Sequence, residues 1–513
     1  MNLRRLTKYA VGNFEYLGNC QRFTSYKEQH PCSMYFEEFA SANKLKPLSY
    51  RYGNANKDAE MPSIAKYDRV QPTPNPVNWS KAKAATMQYY AQLNGSSKLP
   101  TAFVVQQLDK TTSSGFPFNR VWPDKNKVLE HPEFYEYLEE LWEDLANREK
   151  IINFFWTCSV KSEMRPIEKV NLNKLRTFLA SPIDFTICSN RLCLSLNEMF
   201  YTLGARGEHA TCVGMSQYNM GWHRLALRLN RHKRGFALDG KAFDSSVFAQ
   251  ALWDICEMRI IWGGFQNTPD AHRMRQLYHS IINSMIILSN GDVIVKFTGN
   301  PSGSNNTVVD NTIFLTMVLL YCWFSLAPPE YSTLEMFKKH VEAALYGDDN
   351  TLTVSEEIIG WFNARSIAKV AMELGVEFTA EDDIWEPQPL SELKFLNKKF
   401  LKTGSGYYVP FADTDKMLSS ICYGTAVSDP RWHLMRSYAI RMEGFWNVEL
   451  RMVIDKYIHY LWKTYKDNMV EGIIDGQVRF SDVRAIMKTD EQIIGLYLSQ
   501  ESTNNVLDVL KLM

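Results

Sequence analysis

A disulfide framework is the first thing this sequence lacks. Its nine cysteines, at 20, 32, 158, 188, 193, 212, 256, 322 and 422, are odd in number, scattered, and form no C-x-x-C pair. They predict free thiols of a reducing compartment, most of them behaving as buried small hydrophobes. An excess of charge of one sign is also missing, because Lys plus Arg and Asp plus Glu both number 57. Any grip on nucleic acid must therefore come from local clusters. No apolar run reaches the ~20 residues that span a bilayer. The longest, Thr312 to Ala327, ends at Pro328-Pro329 and predicts a buried core helix and no transmembrane segment. Residues 1–20 mix Arg4, Arg5, Lys8 and Glu15 with aromatics and lack the apolar centre of a secretory signal. Low-complexity tracts and solenoid repeats are absent. So are a G-x-S-x-G elbow and ligand spacing among the ten histidines, which excludes a hydrolase triad of that type.

What is present is an ordinary globular composition, 45% hydrophobic and 22% charged over 513 residues, long enough for several subdomains. Proline spacing from Val70 to Trp79 predicts an extended connector after an N-terminal arm. Between Pro132 and Arg148, Phe134, Tyr135, Tyr137, Leu138, Leu141, Trp142 and Leu145 recur with acids between them, which predicts an amphipathic helix. Basic residues crowd Lys161–Arg176 and again Arg224–Arg234. From about 236 to 400 strand-like and helical signals alternate as in an α+β domain on an antiparallel sheet. After about 405 the aromatic and methionine spacing is helical, predicting a separate helical lobe.

Four clusters then follow in order. Asp239 closes the apolar Gly235-Phe-Ala-Leu238, and Asp244 lies five residues on. Thr298-Gly-Asn-Pro-Ser302-Gly303 predicts a shaped loop, and Ser304 or Asn305 could cap the helix after it. Thr307 and Asn311 would share one face of that helix. Asp348 and Asp349 lie between Ala343–Tyr346 and Thr351–Val354, predicting a β-hairpin tip relieved by Gly347. Phe395-Leu-Asn-Lys-Lys-Phe400 flanks Lys398 and Lys399 with aromatics. Alone, a Gly-Asp-Asp is more simply a solvated turn, and a run such as Lys161, Arg165, Lys169, Lys174 and Arg176 a solvated strand. Together they supply what templated nucleotidyl transfer needs. Carboxylates on separate strands can hold two Mg²⁺ (Mn²⁺ is the alternative) about 3.5–4 Å apart. The cations can neutralise a triphosphate. Polar groups near Asp244 can hydrogen-bond a ribose 2′-hydroxyl. The expectation is that Asp239 and Asp348 bridge the metals, with Asp349 weaker.

In this order the motifs resemble the RNA-dependent RNA polymerases of positive-strand RNA viruses, over about 111–400. Thr112-Ser113-Ser114-Gly-Phe-Pro117 looks like the template-guiding motif, Lys161-Ser-Glu-Met-Arg165 through Arg176 the nucleotide-entry motif, and Asp239/Asp244, Ser302–Asn311 and Tyr346-Gly-Asp-Asp349 the three palm motifs. Lys161–Lys169, Cys212–Met215, Asp239–Ser246 and Thr307–Asn311 look like the potyvirus-related branch of the picornavirus-like supergroup. The Tyr346-Gly-Asp-Asp349 form and Pro301-Ser-Gly303 look more picornavirus- or astrovirus-like. The resemblance implies an α+β right-hand fold closed by an N-terminal arm. It would comprise fingers with the arm and part of the palm at 1–233, palm at 234–260, a fingers insertion at 261–297, palm at 298–404 and a helical thumb at 405–513. It implies that Lys161, Arg165, Lys169 and Arg176 hold the incoming nucleotide. Asp244, Thr307 and Asn311 would check its ribose, and Ser302, in the loop that moves during translocation, and Gly303 would complete the nucleotide site. Thr112, Ser113, Ser114, Lys398 and Lys399 would meet RNA. Partners would be template and primer RNA, ribonucleoside triphosphates and other viral replication proteins, in host cytoplasm at membrane-associated replication complexes. One departure stands out. Where related enzymes carry a lysine proposed to protonate pyrophosphate, Leu374–Asp383 is acidic, leaving Lys369, Lys394 or water. A reverse transcriptase and a non-catalytic RNA-binding scaffold are the alternatives, the first disfavoured by the polar Asp244–Asn311 pairing.

Overall fold

The helix Thr307–Leu326 forms the axis of the main core, with every residue from Val309 to Trp323 buried. It is the apolar run read from the sequence, extended by a polar first turn and a half. By length and composition this helix could cross a membrane, but 83% of its most apolar window is buried against the rest of the protein. The computed structural model describes residues 13–500 apart from 22, 27–29, 425, 475 and 477. The reading of the first twenty residues as lacking a secretory signal thus falls, for 1–12, outside the described residues.

Two of the sheets contribute residues to this core. A five-stranded one runs in the order Phe14–Asn19, Asp292–Lys296, Met285–Ile287, Phe155–Val160, Thr177–Ala180. Only Phe155–Val160 and Met285–Ile287 pair parallel. The other is the antiparallel sheet expected between 236 and 400: Val341–Tyr346, Asp349–Val354 and Arg234–Phe236. The expected strand into Asp239 is interrupted. Arg234–Phe236 pairs with the hairpin, whereas Leu238–Gly240 turns to pair with Phe378–Ala380. Gly235 sits where a Cβ would lie 2.1 Å from Leu352 O, so glycine is what lets these two strands approach.

The amphipathic helix is present as Pro132–Ala146, burying Phe134, Leu138, Leu141, Trp142 and Leu145. The connector prediction is corrected. The chain is irregular only to Asn75, whose side chain caps a helix over Pro76–Tyr89. Pro76 at the first helical position loses no hydrogen bond and has a preset φ. The helix carries Trp79 into the core, with its indole N–H 2.8 Å from Asp254.

The N-terminal segment touches both ends of the molecule. Phe14–Asn19 pairs with Asp292–Lys296, and Tyr50–Gly53 pairs with Glu163–Pro166. Between them the helix Met34–Ala42 buries Phe36 and Phe39 against Leu418, Ile421, Leu434 and Tyr457 of the C-terminal helices. Those helices begin at Thr414 rather than 405, because Tyr408–Ala412 still pairs with Lys398–Lys402. All nine cysteines are free, Cys20 and Cys32 half-buried and the rest buried.

Candidate active site

The acidic turn is built by register. Tyr346 pairs with Asp349, leaving Gly347 and Asp348 as a two-residue turn, with Gly347 at φ +63, where glycine carries no steric penalty. The hydroxyl of Thr312, in the core helix, accepts the Gly347 N–H at 2.8 Å. The next residue does more. Asn350 is buried, and its amide accepts from Leu238 N–H at 3.1 Å and donates to Leu238 O at 2.7 Å. One side chain thus splices the hairpin to the strand that carries Asp239.

The result is a cleft of about 260 Å³ lined by Asp239, Asp348, Asp349 and Glu381 together with Lys394, Leu396 and Asn397. Glu381 arrives because Phe378–Ala380 pairs with Leu238–Gly240, setting Thr379 opposite Asp239. Crowding of like charge in a partly dehydrated cleft is visible in the protonation equilibria. Burial first, then the charges of Asp348, Glu381 and Asp239, push Asp349 up to about 7 against the backbone N–H of Leu396. Burial also raises Asp348 and Glu381, and Asp239 adds to both. Such a cluster needs cations to be fully ionised. Among the described residues no three ligand-type side chains already converge on one point. Hard oxygen donors on opposed strand ends nevertheless suit a hard divalent ion that keeps positions for phosphate. Lys394 is tied to Asp382 at 2.7 Å, while Lys369 is exposed on the helix Ala364–Ala371.

Beside the cleft, Asn311 donates to Asp244 Oδ1 at 2.6 Å and accepts from the Asn300 amide at 2.9 Å. Burial raises the Asp244 carboxyl and Asp348 pushes it further, while Asn311, Lys161 and Arg176 pull it back. The buried Ser302 hydroxyl oxygen has no hydrogen-bond partner among the described residues. A Cβ at Gly303 would lie 2.1 Å from Leu179 O, so this loop lies against the strand that follows Arg176. The Thr307 hydroxyl donates back to Pro301 O and Ser304 O, at 2.7 and 2.9 Å, closing the loop. One expectation is corrected here. Neither Ser304 nor Asn305 is the cap residue. Asn306 is, with no side-chain cap bond.

The cations expected to hold the incoming nucleotide divide. Arg176 grips Glu163 through Nε at 3.1 and 3.0 Å, and the charges of Asp348 and Asp244 reach its guanidinium. Lys161 is tied through its backbone N–H to Arg176 O at 2.8 Å. Arg165 donates to Lys174 O at 2.6 Å and lies 3.7 Å from Glu163. Lys169 is exposed on the short helix Ile167–Asn171, one step away.

Of the residues expected to meet RNA, Thr112 and Ser113 are exposed. Ser114 is not. It is fully buried and its hydroxyl donates to Trp122 O at 2.5 Å, so it braces the loop instead of offering a surface. Lys398 and Lys399 are not a free basic clamp. Lys398 donates to Gln217 and Glu443 at 2.6 and 2.9 Å, and Lys399 lies 3.4 Å from Glu392. The hairpin lysine is thereby spent on joining the hairpin to the helix Pro430–Glu443.

Sequence reasoning assigned no role to Asn350 or Glu381, although the first directly follows the acid pair and the second lies in the segment noted for its acids. It also missed the fully buried Arg259–Asp310 pair, at 2.7 Å, with Tyr278 donating to the same carboxylate at 2.7 Å. This pair anchors the residue next to Asn311.

A mixed α+β chain with acids from two strand systems facing one cleft has the oxygen donors that metal-assisted nucleotidyl transfer requires. Residues 33–450 match the family model of the viral RNA-dependent RNA polymerases, and the chain belongs to that family. It is similar to the replicase polyprotein of Cricket paralysis virus, 30% identical over 323 residues, 57% of this chain and 18% of that polyprotein. The genome polyprotein of Soybean mosaic virus (strain N) is 30% identical over 343 residues, 65% of this chain and 10% of the polyprotein. That of Watermelon mosaic virus II is 27% identical over 497 residues, 94% of this chain and 45% of the relative. These relatives are viral replicase and genome polyproteins, consistent with the resemblance carried by the motif order, and the chain spans less than half the length of each.

Proposed function

We propose that this chain copies a viral RNA genome, adding ribonucleotides to a primer paired with template RNA. The observation that carries the reading is the cleft in which Asp239, Asp348 and Asp349 meet, spliced by Asn350. In it Asp239 and Asp348 would hold two Mg²⁺ or Mn²⁺ ions, with Asp349 contributing more weakly. When bound, such ions activate the primer hydroxyl and stabilise the leaving pyrophosphate. The chain's own residues do the rest. Lys161, Arg165 and Arg176 receive the triphosphate, and Lys169 adds long-range attraction. Asp244 and Asn311, with the Ser302 hydroxyl, meet the ribose 2′-hydroxyl, which separates RNA from DNA precursors. Thr112 and Ser113, both exposed, would meet the template.

The reading extends to architecture. Residues 1–233 would hold the fingers with the N-terminal arm and part of the palm, 261–297 a fingers insertion, 234–260 and 298–404 palm, and 405–513 thumb, with the arm bridging fingers to thumb into a closed right hand. The arm's contacts with the five-stranded sheet and with the C-terminal helices support this. Because the relatives are polyproteins, other viral replication proteins are its expected partners, at membranes of the host cytoplasm.

The test is primed extension on a defined RNA template by Asp348→Asn. Removing one metal-binding charge should lower synthesis at least a thousandfold while RNA binding stays within about twofold, since the cations are untouched. Retained synthesis would overturn the metal assignment. A wild-type protein that binds RNA but extends no primer with either ion would favour the scaffold alternative.

A further inference from the structure

Lys296 is fully buried, and among the described residues its side chain is held by backbone oxygens instead of a carboxylate. Its ammonium donates to three of them: Ile281 O at 2.7 Å and Ile282 O at 3.1 Å, at the end of the helix Pro269–Ile282, and Gly299 O at 2.7 Å. A charge at the negative end of a helix is favourable, but burial still drives its pKa far below that of an exposed lysine. Such a group is costly to keep unless it specifies a geometry.

The geometry it specifies is that of the loop ahead of Ser302. Tyr67, from the N-terminal segment, lies with its ring 5.4 Å from the Lys296 ammonium and donates its hydroxyl to Asn300 O at 3.2 Å. Gly299 is at φ +83, and a Cβ there would strike the Tyr67 ring at 2.5 Å. From Asn300 the chain of contacts runs on without a break. Its backbone N–H donates to Asp244 O at 2.8 Å, its amide donates to Asn311, and Asn311 donates to Asp244.

We propose that Tyr67 and Lys296 are positioning residues for sugar selection. They clamp Gly299 and Asn300 from behind, so that Asn311 and Asp244 present one fixed pair of polar groups to the ribose. Neither touches substrate. Both act through Asn300. The proposal rests on the reading of Asp244 and Asn311 as the sugar contacts. It accounts for two observations that reading leaves unexplained, a buried lysine held by backbone oxygens and a tyrosine hydroxyl spent on a loop carbonyl.

The test compares kcat/KM for a ribonucleotide and its 2′-deoxy counterpart in primed extension by the full chain, in Tyr67→Phe, Lys296→Met and Asn311→Ala. Tyr67→Phe keeps the ring that fills the site and removes only the hydroxyl. It should lower ribose preference about fivefold, the ordinary worth of one hydrogen bond, with ribonucleotide kcat within about twofold. Lys296→Met should lower the preference further if it folds. If Asn311→Ala lowers the preference but Tyr67→Phe leaves it unchanged, the positioning role is wrong and the sugar reading survives. If Asn311→Ala itself leaves the preference unchanged, the sugar reading fails and takes this inference with it. Equal losses for both sugars in Tyr67→Phe would mean a merely structural contact and would also overturn the proposal.

Discussion

Replacing Asn350 by alanine removes the splice between the acidic hairpin and the strand of Asp239 without touching a carboxylate. Two hydrogen bonds to Leu238 disappear, at 3.1 and 2.7 Å, together with a third to Asp348 O at 3.0 Å. Leu238 is 3% exposed, so water does not readily replace the lost amide. Leaving a buried N–H and C=O unsatisfied costs roughly 1–3 kcal/mol each, which sets the stability loss at about 2–6 kcal/mol. The catalytic loss comes from geometry. A displacement of about 1 Å between groups that must share a reacting centre costs on the order of a hundredfold in rate. Single-turnover extension of a primed template should therefore slow about a hundredfold in Asn350→Ala, while RNA affinity stays near wild type. Asn350→Asp sharpens the test. It keeps an acceptor for Leu238 N–H, forfeits both donors, and adds a charge beside Asp348 and Asp349, so its rate should be no better than that of the alanine variant. An Asn350→Ala enzyme that loses stability yet extends within twofold of wild type would show that Asp239 and Asp348 are held in register by something other than this side chain.

Acidity should matter in two opposite senses. Because Asp349 titrates near 7 in the fold and near 3.8 unfolded, lowering pH through 7 protonates it, so the Mg²⁺ concentration for half-maximal synthesis should rise as pH falls from 8 to 6. In metal-free protein the same raised value means that the folded state keeps a proton the unfolded chain has released. The contribution of Asp349 to stability is therefore present below about 4 and is lost as pH rises towards 7, a trend visible in thermal melts that Asp349→Asn should flatten. Arg259→Met strands the Asp310 carboxylate in a fully buried site and should cost about 3–5 kcal/mol in denaturant unfolding. The double variant Arg259→Met, Asp310→Leu should recover part of that, and a double variant worse than the single one would contradict the stranded-charge account.

Much of the site was readable because its signals are local. The turn at Gly347 follows from two short apolar runs around Gly-Asp-Asp, and the core helix from one unbroken apolar stretch. The shaped loop follows from Gly299, Pro301 and Gly303. Side-chain partners set by distant pairing were not readable. Ser114 and Thr112 look alike in the sequence, yet one is sealed against Trp122 and the other exposed. Lys398 reads as a phosphate clamp until Glu443 is seen to occupy it. Thr307 shares a helical face with Asn311, but its hydroxyl was claimed by the loop carbonyls one turn back.

By itself the order of residues determined which chemistry was available: carboxylates, cations and a glycine loop, in a succession that marks a viral polymerase. Tertiary structure alone decided which of those groups act together. Asp239 reaches its partners only because an asparagine 112 positions away from Leu238 binds that residue's backbone, and because a strand ending at Ala380 pairs alongside and brings Glu381 into the cleft. Periodicity and turn preference are properties of neighbours along the chain. A shared cleft is a property of contacts that form only when the whole core closes.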